Sequence, residues 1–202
     1  MNDCLFCQRD KIKDGILLES ENFFVKVGIG ILAPGHVMII TKEHVPCFAE
    51  LPKQLIKEFT SLKNKVIENL KLNFADPIIY EHGIYGQSIN HAHLHFLPRK
   101  NKYFDLSNIK QVLFTDIKST SIGNMQQLAD IHAKENSYFY LEIDGTKSVY
   151  HTKGKEAGKY IFRKEFARLT GLKGLENWKS MTEEDKRRDT EWIDITKMAF
   201  KS

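Results

Sequence analysis

The stretch "INHAHLHFLPR" (residues 89–99) places histidine at every second position. His91, His93 and His95 are separated by Ala92 and Leu94, and the run closes on Phe96, Leu97 and Pro98. In a β-strand, residues i, i+2 and i+4 point the same way. The spacing therefore predicts a strand with three imidazoles on one face and Ala92, Leu94 and Phe96 on the other. Three uses fit such a face. It is a half-polar surface strand; or a metal site, imidazole being the commonest metal ligand; or a catalytic strand, where one imidazole attacks and its neighbours hold its tautomer and the charge it attacks. Alternate side chains on a strand stand about 7 Å apart, which is wide for three ligands of one ion unless the strand twists.

Outward from this strand the chain reads as an ordinary globular one. It has 202 residues, 42% hydrophobic and 28% charged, which suits one large domain or a domain with a small appendage. Five prolines and 12 glycines leave no room for a long low-complexity linker. No apolar run reaches the length of a membrane span. The start "MNDCLFCQRD" lacks the basic and apolar regions of a signal peptide, so the expectation is a cytoplasmic protein without a membrane partner. The net charge of +4 permits a polyanionic substrate without indicating nucleic acid. Three cysteines argue against a disulfide framework. Cys4 and Cys7 have the spacing of half a zinc site or of a redox pair, and Cys47 reads as a small core residue.

"GILLES" (15–20), "NFFVKV" (22–27) and "HVMIIT" (36–41) read as short strands between turns. Between Leu51 and Leu72 the period changes: Leu55, Phe59, Leu62, Val66 and Leu70 recur at three- and four-residue steps, predicting an amphipathic helix with Pro52 in its first turn. "PIIYEHG" (77–83) is a strand ending at a glycine, and "IYGQSI" (84–89) a loop before the histidine strand. The layout is α+β, an antiparallel sheet with a long helix on one face. After Lys102 the character shifts to a smaller α/β extension. It comprises a helix in 123–137, a hairpin in 137–151 turning at Asp144-Gly145, a helix in 154–172 and another in 181–200 with Thr182 as N-cap. The expected division is 1–104 and 105–202. The helix in 154–172 carries Lys159, Arg163, Lys164 and Arg168. It is either a solvated basic face, or a lid or phosphate clamp over the active site, or a contact to nucleic acid phosphates.

Four ordered motifs place the first hundred residues near a known family. They are His-Ala-His-Leu-His-Phe-Leu-Pro (91–98), "APGHVMIITKEHV" (33–45), "GQS" (86–88) and Cys4-Leu5-Phe6-Cys7. Together they resemble the histidine triad (HIT) superfamily of nucleotide hydrolases and transferases. The resemblance implies that His93 attacks the α-phosphorus of a nucleotide conjugate, giving a nucleotidyl-histidine. It implies that His95 holds the phosphate, that Gln87 and Ser88 bind its oxygens and assist the leaving group, and that His36 stands near the nucleophile. His36 has a second reading as a core histidine bonded to backbone. A structural zinc held by Cys4, Cys7, His44 and His91 is also implied, against a metal-free pair of buried thiols. Histidine rather than glutamine at position 95 points to hydrolysis. Phosphoramidates, dinucleoside polyphosphates and adenylylated molecules are the substrate classes, and a homodimer is left open.

Two features depart from the family pattern. Many members carry a ribose-binding acid about eight residues before the His36 position; that place is Gly28, and no carboxylate lies between Lys26 and His36. "YEHG" (80–83) replaces the common Asn-x-Gly, leaving Glu81 and His82 either lining the pocket or ending a strand at the surface. "GIGILAPGH", "EHG" and the C-terminal elements are also distantly similar to the C-terminal region of CwfJ-like splicing factors. The alternative to an enzyme is a nucleotide- or RNA-binding module that uses the triad domain and the basic C-terminal segment.

Overall fold

The computed structural model describes residues 4–100, 105–106, 116–156 and 160–201. A single turn at Leu5–Cys7 and the short helix α1 (Arg9–Ile12) lead into β1 (Ile16–Glu19), β2 (Phe23–Val27) and β3 (Val37–Thr41). The β1–β2 turn is tied down by Glu58, whose carboxylate accepts from the Ser20 hydroxyl and from the backbone and side-chain nitrogens of Asn22. Glu58 lies on the long helix α2 (Ile56–Asn73), which starts later than the periodicity suggests. Pro52 is still extended (ψ 134°), and one 3₁₀ turn at Lys53–Leu55 intervenes. α2 buries Phe59, Leu62, Val66 and Leu70, as its spacing requires.

Next come β4 (Pro77–Glu81), β5 (His93–Pro98), β6 (Ser119–Ile122), α3 (Leu128–Glu135), β7 (Tyr138–Ile143), β8 (Thr146–His151), α4 (Ile161–Thr170) and α5 (Glu183–Ala199). Asp144 and Gly145 both take positive φ (51° and 75°), the geometry of a two-residue hairpin turn. Thr182 and Asp185 form a reciprocal capping box at the start of α5.

Among the described residues the eight strands form one antiparallel sheet in the order β1-β2-β3-β5-β4-β7-β8-β6. The expected division after residue 104 thus falls within a continuous sheet, because β7 pairs directly with β4 (Tyr80 opposite Leu141). The two larger of the three hydrophobic clusters are also shared. On one face α2 covers Val25, Ile39, Leu94 and Phe96 together with Tyr138 and Tyr140. On the other, Phe162 and Phe166 of α4 and Trp192 of α5 cover Ile78, Tyr80, Phe139 and Leu141. A buried ion pair joins the two parts: Lys63 of α2 meets Glu142 of β7, which also accepts from the Tyr140 hydroxyl at 2.5 Å. Among the described residues no helix is long and apolar enough to cross a membrane.

Candidate active site and metal centre

β5 begins at His93, so it carries two of the three histidines rather than all three. The chain turns just before it. The His91 backbone N–H bonds the Ile89 carbonyl (2.9 Å), and Ala92 N–H bonds the Val45 carbonyl (2.6 Å). His91 is left at the strand entrance, facing the N-terminal cysteines, while His93 and His95 follow strand alternation opposite Ile40 and Met38 of β3.

Backbone partners assign the protons of the histidines. His93 Nδ1 lies 2.5 Å from the His91 carbonyl, which only accepts, so Nδ1 carries the proton and Nε2 keeps its lone pair. The Leu32 N–H donates to His36 Nδ1 at 3.1 Å, so His36 is protonated at Nε2. That nitrogen is 3.0 Å from His95 Nδ1 and donates to it. His95 in turn carries its proton on Nε2. A relay from a backbone amide through His36 therefore sets an N–H on His95 Nε2, and the His91 carbonyl independently sets a lone pair on His93 Nε2. Burial pushes His93 down to about 4 and His36 to about 3, and holds His95 well below the ordinary histidine range, so all three are neutral near pH 7. Tyr80 stacks on His95 (4.4 Å between centroids) and on Phe162 of α4 (3.9 Å), locking the ring plane.

His93 and His95 share a pocket with Ser88, His82 and Phe6. Gln87 is not part of it. Its amide nitrogen donates to the carbonyls of Pro46 (3.2 Å) and His91 (3.1 Å), which holds the loop before β5. Gly28 also gains a reason. A Cβ there would lie 2.7 Å from His36 Nδ1, so a carboxylate side chain at this position collides with the relay. Of the "YEHG" residues, His82 lines the pocket, its Nδ1 donating to the Tyr85 carbonyl at 3.0 Å, and burial pushes it to about 4. Three lining residues, Tyr160, Arg163 and Trp178, come from the C-terminal part. Nothing in the sequence marked the first and last. Arg163 was visible only as one of four basic residues, and the structure removes it from any solvated face. Lys159 lies outside the described residues.

Glu81 points the other way and is fully buried. It accepts from the Phe48 N–H (2.7 Å) and the Tyr138 hydroxyl (2.6 Å), and burial pushes it up to about 7. The folded state thus binds this proton more tightly than the unfolded chain. The resulting stabilisation is complete below the ordinary value of 4.5 and is lost as pH rises through about 7. The isosteric Glu81→Gln does not titrate. Relative to wild type, its unfolding free energy should therefore gain about 3 kcal/mol between roughly pH 4.5 and pH 8, read from urea unfolding across that range. A pH-independent difference contradicts the assignment.

Cys4, Cys7, His44 and His91 converge, with ligand atoms all within 4.8 Å of one another. Cys4 Sγ and Cys7 Sγ lie 3.3 and 3.6 Å from His91 Nδ1, and Cys7 Sγ 3.3 Å from His44 Nδ1. A tetrahedral zinc with Cys and His ligands sets those atoms about 3.3–3.8 Å apart. His91 Nε2 donates to the Thr41 carbonyl at 2.8 Å, leaving the Nδ1 lone pair aimed at the thiols. The donor set and its orientation fit zinc.

A family model for the HIT domain matches residues 9–102. A HIT-like protein of Methanocaldococcus jannaschii is 30% identical over 101 residues, 48% of this chain and 78% of that protein. The chain belongs to the histidine triad family. The asymmetrical bis(5'-nucleosyl)-tetraphosphatase of Schizosaccharomyces pombe is 30% identical over 106 residues, 50% of this chain and 56% of that enzyme. The chain thus spans little more than half of this second relative. A HIT family hydrolase structure from Clostridium thermocellum shares 29% identity, covers 50% of this chain and 95% of its own, and has a TM-score of 0.42. In this histidine triad protein the matched region holds every pocket histidine, whereas Tyr160, Arg163 and Trp178 lie beyond it.

Proposed function

We propose that the protein hydrolyses a nucleotide conjugate at its α-phosphate through a nucleotidyl-His93 intermediate. The observation that carries this is the fixed tautomer pair, a lone pair on His93 Nε2 beside an N–H on His95 Nε2 in one pocket. His93 Nε2 attacks phosphorus, and the bond to the leaving oxygen or nitrogen breaks. The leaving group departs with the Ser88 hydroxyl proton, which the attacking water replaces in the second step. Water then attacks the phosphorus and releases a nucleoside monophosphate, restoring neutral His93. Splitting the displacement in two is the advantage of an imidazole nucleophile, which also leaves readily. The His95 N–H stabilises charge on the phosphoryl oxygens, and the Ser88 hydroxyl stands ready beside the leaving group. The fission-yeast relative, a tetraphosphatase, supports the same class of substrate.

Cys4, Cys7, His44 and His91 would hold a structural zinc. Bound there, the metal supplies rigidity rather than chemistry, its four positions all being filled by protein. Its benefit to catalysis runs through His91, whose carbonyl orients His93. The test is a panel of a dinucleoside tetraphosphate, a nucleoside phosphoramidate and adenylyl sulfate, with release of nucleoside monophosphate measured. Turnover of at least one is expected. Binding without release from any would favour a nucleotide-binding module.

A further inference from the structure

Among the described residues lining the histidine pocket, Arg163 is the only lysine, arginine, aspartate or glutamate. Its guanidinium is fixed by three carbonyls. Nε donates to Leu175 at 2.8 Å, and Nη1 to Gly30 at 2.7 Å and Ile29 at 3.5 Å. Nη2 makes no hydrogen bond to any of the described residues. Among the described residues no carboxylate is within ion-pair distance; Asp189 and Glu176 act on it only from further away. Asp189 is itself engaged, Oδ1 accepting from the Ile31 N–H at 2.6 Å.

A partly buried cation solvated by carbonyl dipoles keeps its full charge and an open donor. That is costly in an empty pocket and favourable against an anion. The guanidinium is also held in place before any ligand arrives. Trp178 packs so closely on Gly30 (φ +56°) that a Cβ there would meet its Cβ at 2.3 Å, bracing the loop whose carbonyls grip Nη1. The charge reaches His36 and His95 and helps keep both neutral.

We propose that Arg163 binds the phosphoryl group of the substrate through Nη2, so that the C-terminal part of the chain supplies the positive charge of the active site. This rests on the nucleotide reading above. It restricts the substrate class to those whose reacting phosphorus bears an anionic oxygen, and excludes neutral phosphotriesters.

AMP and adenosine separate this role from a structural one. In Arg163→Met, which keeps an apolar stem, AMP affinity by calorimetry should fall about 10- to 100-fold, with adenosine affinity unchanged. An equal loss for both ligands, or no loss for AMP, overturns the proposal. Should the variant fail to fold, the wild-type protein gives a second readout. The Arg163 side-chain nitrogen resonances should shift on adding AMP but not adenosine, and resonances indifferent to AMP overturn the proposal. If wild-type protein binds neither ligand, the nucleotide reading falls as well, whereas AMP binding that is indifferent to Arg163 removes this inference alone.

Discussion

His93→Ala should lower kcat by at least about 10⁴-fold on any accepted substrate, with AMP affinity changed only a few-fold. The asymmetry follows from the geometry. His93 contributes the Nε2 lone pair that the proposal assigns to bond formation, so its loss removes the attacking atom while His82, His95, Ser88 and the pocket wall remain. The smaller His93→Gly adds a discriminating result. Free imidazole in solution can enter the vacated space and attack phosphorus, restoring measurable turnover in a concentration-dependent way. A merely structural role for His93 gives no such recovery. Full turnover in His93→Ala contradicts the nucleophile assignment outright.

Loss of the metal has the second large expected effect. Native protein should contain about one zinc per chain, and Cys4→Ser/Cys7→Ser none. Structural zinc contributes on the order of 10 kcal/mol in small domains that cannot fold without it. Here two hydrophobic cores exist independently of the site, so about 5 kcal/mol is the expected loss of stability on chelation or in the double variant. Turnover should fall too, because His91 connects the metal site to His93: Nδ1 faces the thiols and its carbonyl accepts the hydrogen bond from His93 Nδ1. Equal zinc content in variant and wild type removes the site.

Where local chemistry decides the outcome, the sequence is a good guide. Asp144-Gly145 turns the hairpin because both residues must take positive φ, and Thr182 caps α5 because its hydroxyl reaches the Asp185 N–H. The stripe on α2 is buried as its period demands. Long-range competition is what the sequence hides. The spacing of His91 matches that of the other two histidines, yet cysteines 84 and 87 residues away claim it. The amide nitrogen of Gln87 donates to the carbonyls of Pro46 and His91, the first 41 residues away in the chain, a pairing its own stretch does not announce. Glu81 and His82 are neighbours, but strand alternation sends one into the α2-side core and the other into the pocket. Arg163 looks like Lys164 and Arg168 until α4 is packed against the sheet, when it alone of the three reaches the histidines.

The stereochemical course at phosphorus tests the central claim most directly. Attack by His93 followed by attack by water makes two in-line displacements, each inverting the centre, so the net outcome is retention. A substrate with a chiral α-phosphorothioate, hydrolysed in heavy-oxygen water, should yield a nucleoside phosphorothioate of retained configuration. Inversion would mean that water attacks directly and that His93 forms no bond to phosphorus.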